Sequence, residues 1–138
     1  MFEKVDWFKV TAAIIEKAEE IFSNEEPYKG KTRGGLGGVK IRNPKGDGID
    51  VVYTLPFEKK LGDSDKTLLG KFKYVERTGK PSGAPEEELQ ADEAKWQGAV
   101  PYETAGLSMI FGFTGMRGED DVRNSQAGIA ELNRQLGK

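Results

Sequence analysis

The chain has 138 residues, the length of one ordinary domain, with 36% of residues in the apolar AVILMFWYC class and 32% charged. Its 21 basic and 23 acidic residues give a formal charge of −2, which argues against a dedicated nucleic-acid binder, a class marked by basic excess. It has neither Cys nor His, which excludes a thiol nucleophile, a disulfide framework, Cys/His zinc sites and an imidazole base or haem ligand.

The start, "MFEKVDWFKV", has acids inside it and no uninterrupted apolar core, so it does not read as a signal peptide. No stretch approaches the ~20 apolar residues that span a bilayer. A cytoplasmic location without a membrane partner is the expectation, and residues 1–138 are read as a single domain.

Residues 6 to 22 predict an amphipathic helix. Trp7, Phe8, Val10, Ile14, Ile15, Ala18, Ile21 and Phe22 recur at three- and four-residue steps, and Asp6 stands where an N-cap belongs. Residues 24 to 38 are expected to form a loop ending in "RGGLGG". They open a basic stretch, residues 29 to 45, with no acid in it. "GKT" at Gly30–Thr32 is no P-loop, because Glu25 stands where the motif needs a glycine and no strand precedes it.

"GVKIRNPKGDGIDVVYTLP" predicts a β-hairpin. Val39 and Ile41 lie on the first strand, and Ile49, Val51, Tyr53 and Leu55 alternate on the second. Asp47 and Asp50 in the turn lack the ligand spacing of a calcium loop. Residues 65 to 78 predict a second helix, with Leu68, Leu69, Phe72 and Val75 on one face, Ser64 as its cap and Gly79 then Pro81 as its stop. Pro85 followed by Glu86 to Glu88 suggests a shorter acidic helix to about Trp96.

Two strands are expected next, Ala99–Tyr102 and Leu107–Phe113. The second has Leu107, Met109, Phe111 and Phe113 on one side and Ser108, Ile110 and Gly112 on the other. A last helix, about 119 to 136, carries Val122, Ile129, Leu132 and Leu136 inward. The order α, β, β, α, α, β, β, α predicts an α+β fold with helices flanking one antiparallel sheet.

The corner Gly112, Gly115, Gly118 suggests a phosphate loop. Its G-x-x-G-x-x-G spacing is not the dinucleotide fingerprint, and no parallel strand follows. Glu119, Asp120 and Asp121 would satisfy the field of the helix start and repel phosphate. Side chains on a helix diverge by about 100° per residue, so the trio does not converge on a metal. No hydrolase signature is present, and any general base must be Asp, Glu, Lys or Tyr.

Element order and corner motifs together resemble the small haem-degrading family of the GlcG/HbpS type, which includes the C-terminal domain of some corrinoid adenosyltransferases. The resemblance spans roughly residues 8 to 136. "NPKGDGIDVVYTLP" is similar to the family's hairpin. "DKTLLGKFKYVERTGKPS" is similar to its second helix, with Lys71 at the helix lysine. "GAVPYETAGLSMIFGFTGMRGEDDVRNSQAGIAEL" is similar to its closing segment, with Gly98, Pro101, Gly106, Gly112, Gly115, Asp121 and Gly128 near the family's positions. Asn43 stands where the family has Asp, and Phe113-Thr114 replaces Val-Ser.

The resemblance implies a profilin-like fold, homo-oligomers, and a small-molecule-binding or sensory role with haem as the candidate cofactor. Without histidine, a haem iron would need Tyr, Met, Lys or Thr. Candidate ligand contacts are Arg33, Lys71, Tyr102, Met109 and Met116. The alternatives are an enzyme acting on a small organic acid, with Lys71, Tyr102 or Asp121 as acid/base, and an oligomeric accessory protein without catalysis.

Overall fold

The computed structural model describes all 138 residues. After a short 3-10 turn, Phe2–Lys4, the elements are α1 (Trp7–Asn24), β1 (Leu36–Arg42), β2 (Val51–Pro56), α2 (Ser64–Thr78), β3 (Ala99–Thr104), β4 (Leu107–Thr114) and α3 (Gly118–Gln135). The four strands form one antiparallel sheet in the order β2-β1-β4-β3. The fold class is therefore α+β, as the element order predicts. No helix is long and apolar enough to cross a membrane.

Each face of the sheet has its own core, because the strand side chains alternate. Val39, Ile41, Leu107, Met109, Phe111 and Phe113 point to the face covered by α1 and α3, where they meet Ile14, Ile21 and Leu132. Ile110, Leu36 and Ala99 point to the opposite face, where Leu68, Phe72 and Val75 of α2 cover them. Burying each such side chain stabilises the fold by about 1.5–3 kcal/mol.

The helix ends follow local chemistry. Asp6 caps α1, its carboxylate accepting the Lys9 amide at 3.0 Å. Gly79 ends α2 in the left-handed conformation, at φ 71°. Ser64 is not the cap that the sequence suggests: its hydroxyl donates to the Leu61 carbonyl, and Asp63 occupies the cap position.

Three further expectations are corrected. The "RGGLGG" stretch is not all loop, since β1 begins at Leu36. Gly37 and Gly38 belong to a central strand, where the helices lie close on both sides. A Cβ on Gly37 would sit 2.9 Å from Ile14 of α1. On the opposite face, a Cβ on Gly112, the partner of Gly38, would sit 2.8 Å from Leu68 of α2. The acidic helix from Pro85 to Trp96 shrinks to one 3-10 turn, Glu86–Glu88, with no buried residue. Three adjacent carboxylates there have no apolar face to anchor a longer helix. Finally, β2 begins at Val51. Ile49 is exposed and belongs to the turn, where Asp47 and Asp50 accept the amides of Ile49 and Asn43.

Candidate functional site: the Lys71–Asp121 cleft

Lys71 sits in the middle of the apolar stripe of α2, between Leu68 and Val75, and has no exposed surface. Its Nζ donates to the Phe113 carbonyl at 2.9 Å and to Asp121 Oδ2 at 3.2 Å. Asp121 lies in the first turn of α3, and its other oxygen accepts the Met116 amide at 3.0 Å. The pair thus ties α2, the end of β4 and the start of α3 together.

The three first-turn carboxylates diverge, as helix geometry requires. Glu119 is exposed. Asp120 accepts the Tyr28 hydroxyl and a 3.0 Å bond from Arg123. Burial, and then the hydrogen bond to Asp120, push the Tyr28 hydroxyl up to about 12. Tyr28 in turn accepts the Arg117 amide at 3.0 Å, fixing the corner before α3.

Lys71 and Asp121 contribute to a cleft of about 370 Å³, together with Thr67, Thr114, Met116 and Trp96, whose ring is mostly exposed. Gly115 and Gly118 bring the backbone of the corner to its wall. The glycine corner shapes this cleft, and its carboxylate engages a lysine. Small pockets with a few convergent polar groups and an apolar rim suit small organic ligands.

Burial sets the electrostatics of the pair. It pushes the Asp121 carboxyl up to about 7, against the pull of the Lys71 ammonium and the Met116 amide. The same burial pushes Lys71 down, against the pull of Asp121. Burial thus works against the charged form of each partner, and the titration of the pair belongs to the two groups jointly.

A pH dependence follows. A carboxyl raised from 3.8 to about 7 on folding binds its proton more tightly in the folded chain. Its contribution to stability is full below its unfolded value and is lost as pH rises through its folded value. Lys71, depressed on folding, acts oppositely: stability rises with pH from its folded value up to 10.5. Urea unfolding of the native chain and of Asp121→Asn from pH 4 to pH 7 reads the carboxyl. The native chain should lose stability relative to the variant across that interval, and a flat difference would contradict the assignment.

Of the other sequence candidates, only Met116 joins the cleft. Its sulfur accepts the Asn124 amide at 3.2 Å. Arg33 lies elsewhere, over the rings of Phe22 and Phe57 at 5.0 and 5.2 Å, paired with Glu19 and Glu58. The basic loop thus uses its arginine to close the α1 side of the molecule. Tyr102 donates to Asn133 at 2.9 Å and stacks edge-on against Phe111, while Met109 is buried in the α1–α3 core. Both touch a different cleft of about 310 Å³ at the C-terminal end of α2, beside Arg42, Glu76 and Glu103.

Trp96 and Thr67 are the cleft residues that sequence reasoning did not nominate. Trp96 follows the acidic turn, where no periodicity marks it. The signal for Lys71 was available: a lysine in register with Leu68, Phe72 and Val75 must bury its charge and find a carboxylate.

No protein-family model matches the chain, and no curated protein matches it. Among solved structures, it is similar to the crystal structure of a PduOC:heme complex, at 18% identity over 91% of each chain and a TM-score of 0.60. The chain, a four-stranded antiparallel sheet between helices, therefore shares the fold of that protein.

Proposed function

We propose that the chain is a small-molecule-binding or sensory domain whose ligand seats in the Lys71–Asp121 cleft. The observation behind this reading is the convergence of a buried lysine, a buried carboxyl, a thioether and an exposed indole on one cleft. A buried ion pair is poorer stabilisation than apolar packing. Buried groups with displaced protonation in a cleft are a physical mark of candidate functional sites.

The haem bound by the PduOC neighbour supports a tetrapyrrole as one candidate. The donor set here does not fit an axially ligated haem iron. Histidine is missing, the Lys71 amine is held by Phe113 and Asp121, and the Met116 sulfur is engaged by Asn124. What the cleft offers a planar ring is stacking on Trp96. The Lys71–Asp121 pair favours a second reading, an enzyme acting on a small organic acid, because both groups are displaced toward the neutral forms that exchange protons. Homo-oligomerisation and a cytoplasmic location belong to the same proposal and rest on the family resemblance and on the composition.

Calorimetric titration of the native chain and of Trp96→Ala with haem and with a panel of small organic acids tests this reading. Binding should saturate in the native chain and weaken up to about tenfold in the variant, the worth of one aromatic contact. Equal affinities in the two proteins would place the ligand elsewhere.

A further inference from the structure

The sheet has two edges, β2 and β3, and they are finished differently. At β3 the Ser82 amide donates to the Ala99 carbonyl and the Ala99 amide donates to the Ser82 hydroxyl, both at 3.0 Å, and Pro101 has no amide hydrogen to offer. At β2 the outer backbone is unpaired. The Phe57 amide donates to the Gly35 carbonyl at 3.0 Å, continuing the register of β1 with β2. Backbone groups alternate along a strand, so Tyr53 and Leu55 turn theirs to β1 while Val52 and Thr54 turn theirs outward. No hydrogen bond within the chain reaches those outward groups. The strand "VVYTLP" also carries no charge to guard the edge, and its proline comes only at the end.

Building on the homo-oligomer reading above, we propose that β2 is the interface between two copies of the chain, paired antiparallel about a two-fold axis at Tyr53. In this register Val52 lies opposite Thr54 of the second copy. Each exchanges both its amide and its carbonyl, so every outward group of the two residues is satisfied. An axis at Val52 would instead need Asp50, which lies outside the strand, and an axis at Thr54 would meet Pro56, which has no amide hydrogen. The charges choose the same register. Asp50, Glu58 and Lys60 are engaged within the chain by Lys40, Arg33 and Asp65. Asp47 before β2 and Lys59 after it are exposed and have no ion-pair partner, the Asp47 carboxylate accepting only the amide of Ile49. An axis at Tyr53 sets Asp47 opposite Lys59 of the second copy, on both sides of the axis. Parallel pairing would set like charges together. A six-residue edge is smaller than the roughly 800 Å² per partner of a standard interface, so the dimer belongs to the weak, concentration-dependent class.

Sedimentation equilibrium of the full chain, from micromolar to millimolar concentration, tests the interface. The native chain should pass from monomer to dimer. Thr54→Pro removes an outward amide while sparing the ladder to β1, and should weaken association about tenfold or more. Val52→Lys places a charge on the edge and should weaken it as well. Lys59→Asp faces Asp47 of the second copy with another carboxylate and should weaken association about threefold or more. Asp47→Lys combined with Lys59→Asp exchanges the two charges and should restore the dimer. That restoration is a readout that misfolding of a variant cannot imitate. A native chain that stays monomeric throughout overturns this interface and the homo-oligomer reading together. A native oligomer unmoved by Thr54→Pro, Val52→Lys and Lys59→Asp overturns the interface alone and leaves the homo-oligomer reading standing. A loss in Lys59→Asp that the double exchange fails to restore overturns the register.

Discussion

Lys71→Ala should destabilise the fold by about 3–5 kcal/mol, the range for breaking a buried ion pair from one side. The loss has three parts. Asp121 stays buried without its cation, the Phe113 carbonyl loses a donor, and the lysine stem leaves a cavity between α2 and the sheet. Lys71→Met keeps most of the stem, so its loss should be smaller. It should also shrink at low pH, where Asp121 is protonated in either state and needs no cation. Lys71→Met combined with Asp121→Leu removes both charges and should recover much of the stability. Urea unfolding of the set, at pH 5 and at pH 8, measures all of this. A loss for Lys71→Ala within about 0.5 kcal/mol, the range of surface substitutions, would mean that the amine is not buried as described.

Gly98→Ala should be nearly as damaging, about 3 kcal/mol or more. Gly98 stands at φ 133°, a backbone conformation that side-chain-bearing residues rarely adopt, at a cost of about 1–3 kcal/mol. Its new Cβ would collide with the Phe113 carbonyl oxygen and lie 2.8 Å from Asp121 Cβ, which adds about 1–3 kcal/mol of overpacking. These neighbours are backbone and the buried pair itself, so none can move away cheaply. The Gly98 carbonyl also accepts the Ser125 hydroxyl and the Phe113 amide, so displacement would loosen the start of α3 as well. Gly46→Ala is the control: it shares a positive φ but has open space around it, so it carries the strain alone. Similar losses for the two variants would show that the crowding around Lys71 is absent.

The parts of the fold that follow from neighbouring residues were legible in the sequence. α1 was readable because apolar residues repeat at helical spacing behind a good cap, and β4 because Leu107, Met109, Phe111 and Phe113 alternate. The glycines of β1 misled because their role is to let α1 and α2 approach, which is a tertiary fact. Proline and three acids look like a helix start, yet the segment from Pro85 to Trp96 lacks a face to bury.

The site was legible in part for a similar reason. Lys71 and Asp121 are 50 residues apart, and only the packing of α2 against the β4–α3 corner joins them. The resemblance nominated Lys71 as the helix lysine, and Asp121 fell near a family position. Arg33, Tyr102 and Met109 were drawn from a basic loop and from the closing strands. Their packing partners, Phe22 and Phe57, Asn133, and the α1–α3 core, could not be read from local pattern.

The central claim is that the Lys71–Asp121 cleft holds the ligand. Its most direct test is amide and indole chemical-shift mapping of the isotope-labelled chain, with iron-free porphyrin and then a small organic acid added. The account predicts saturable shifts at the Trp96 indole and at the amides of Thr67, Lys71, Gly115, Met116 and Gly118. Shifts centred instead on Arg42, Glu76 and Glu103, or no saturable shift with either probe, would contradict it.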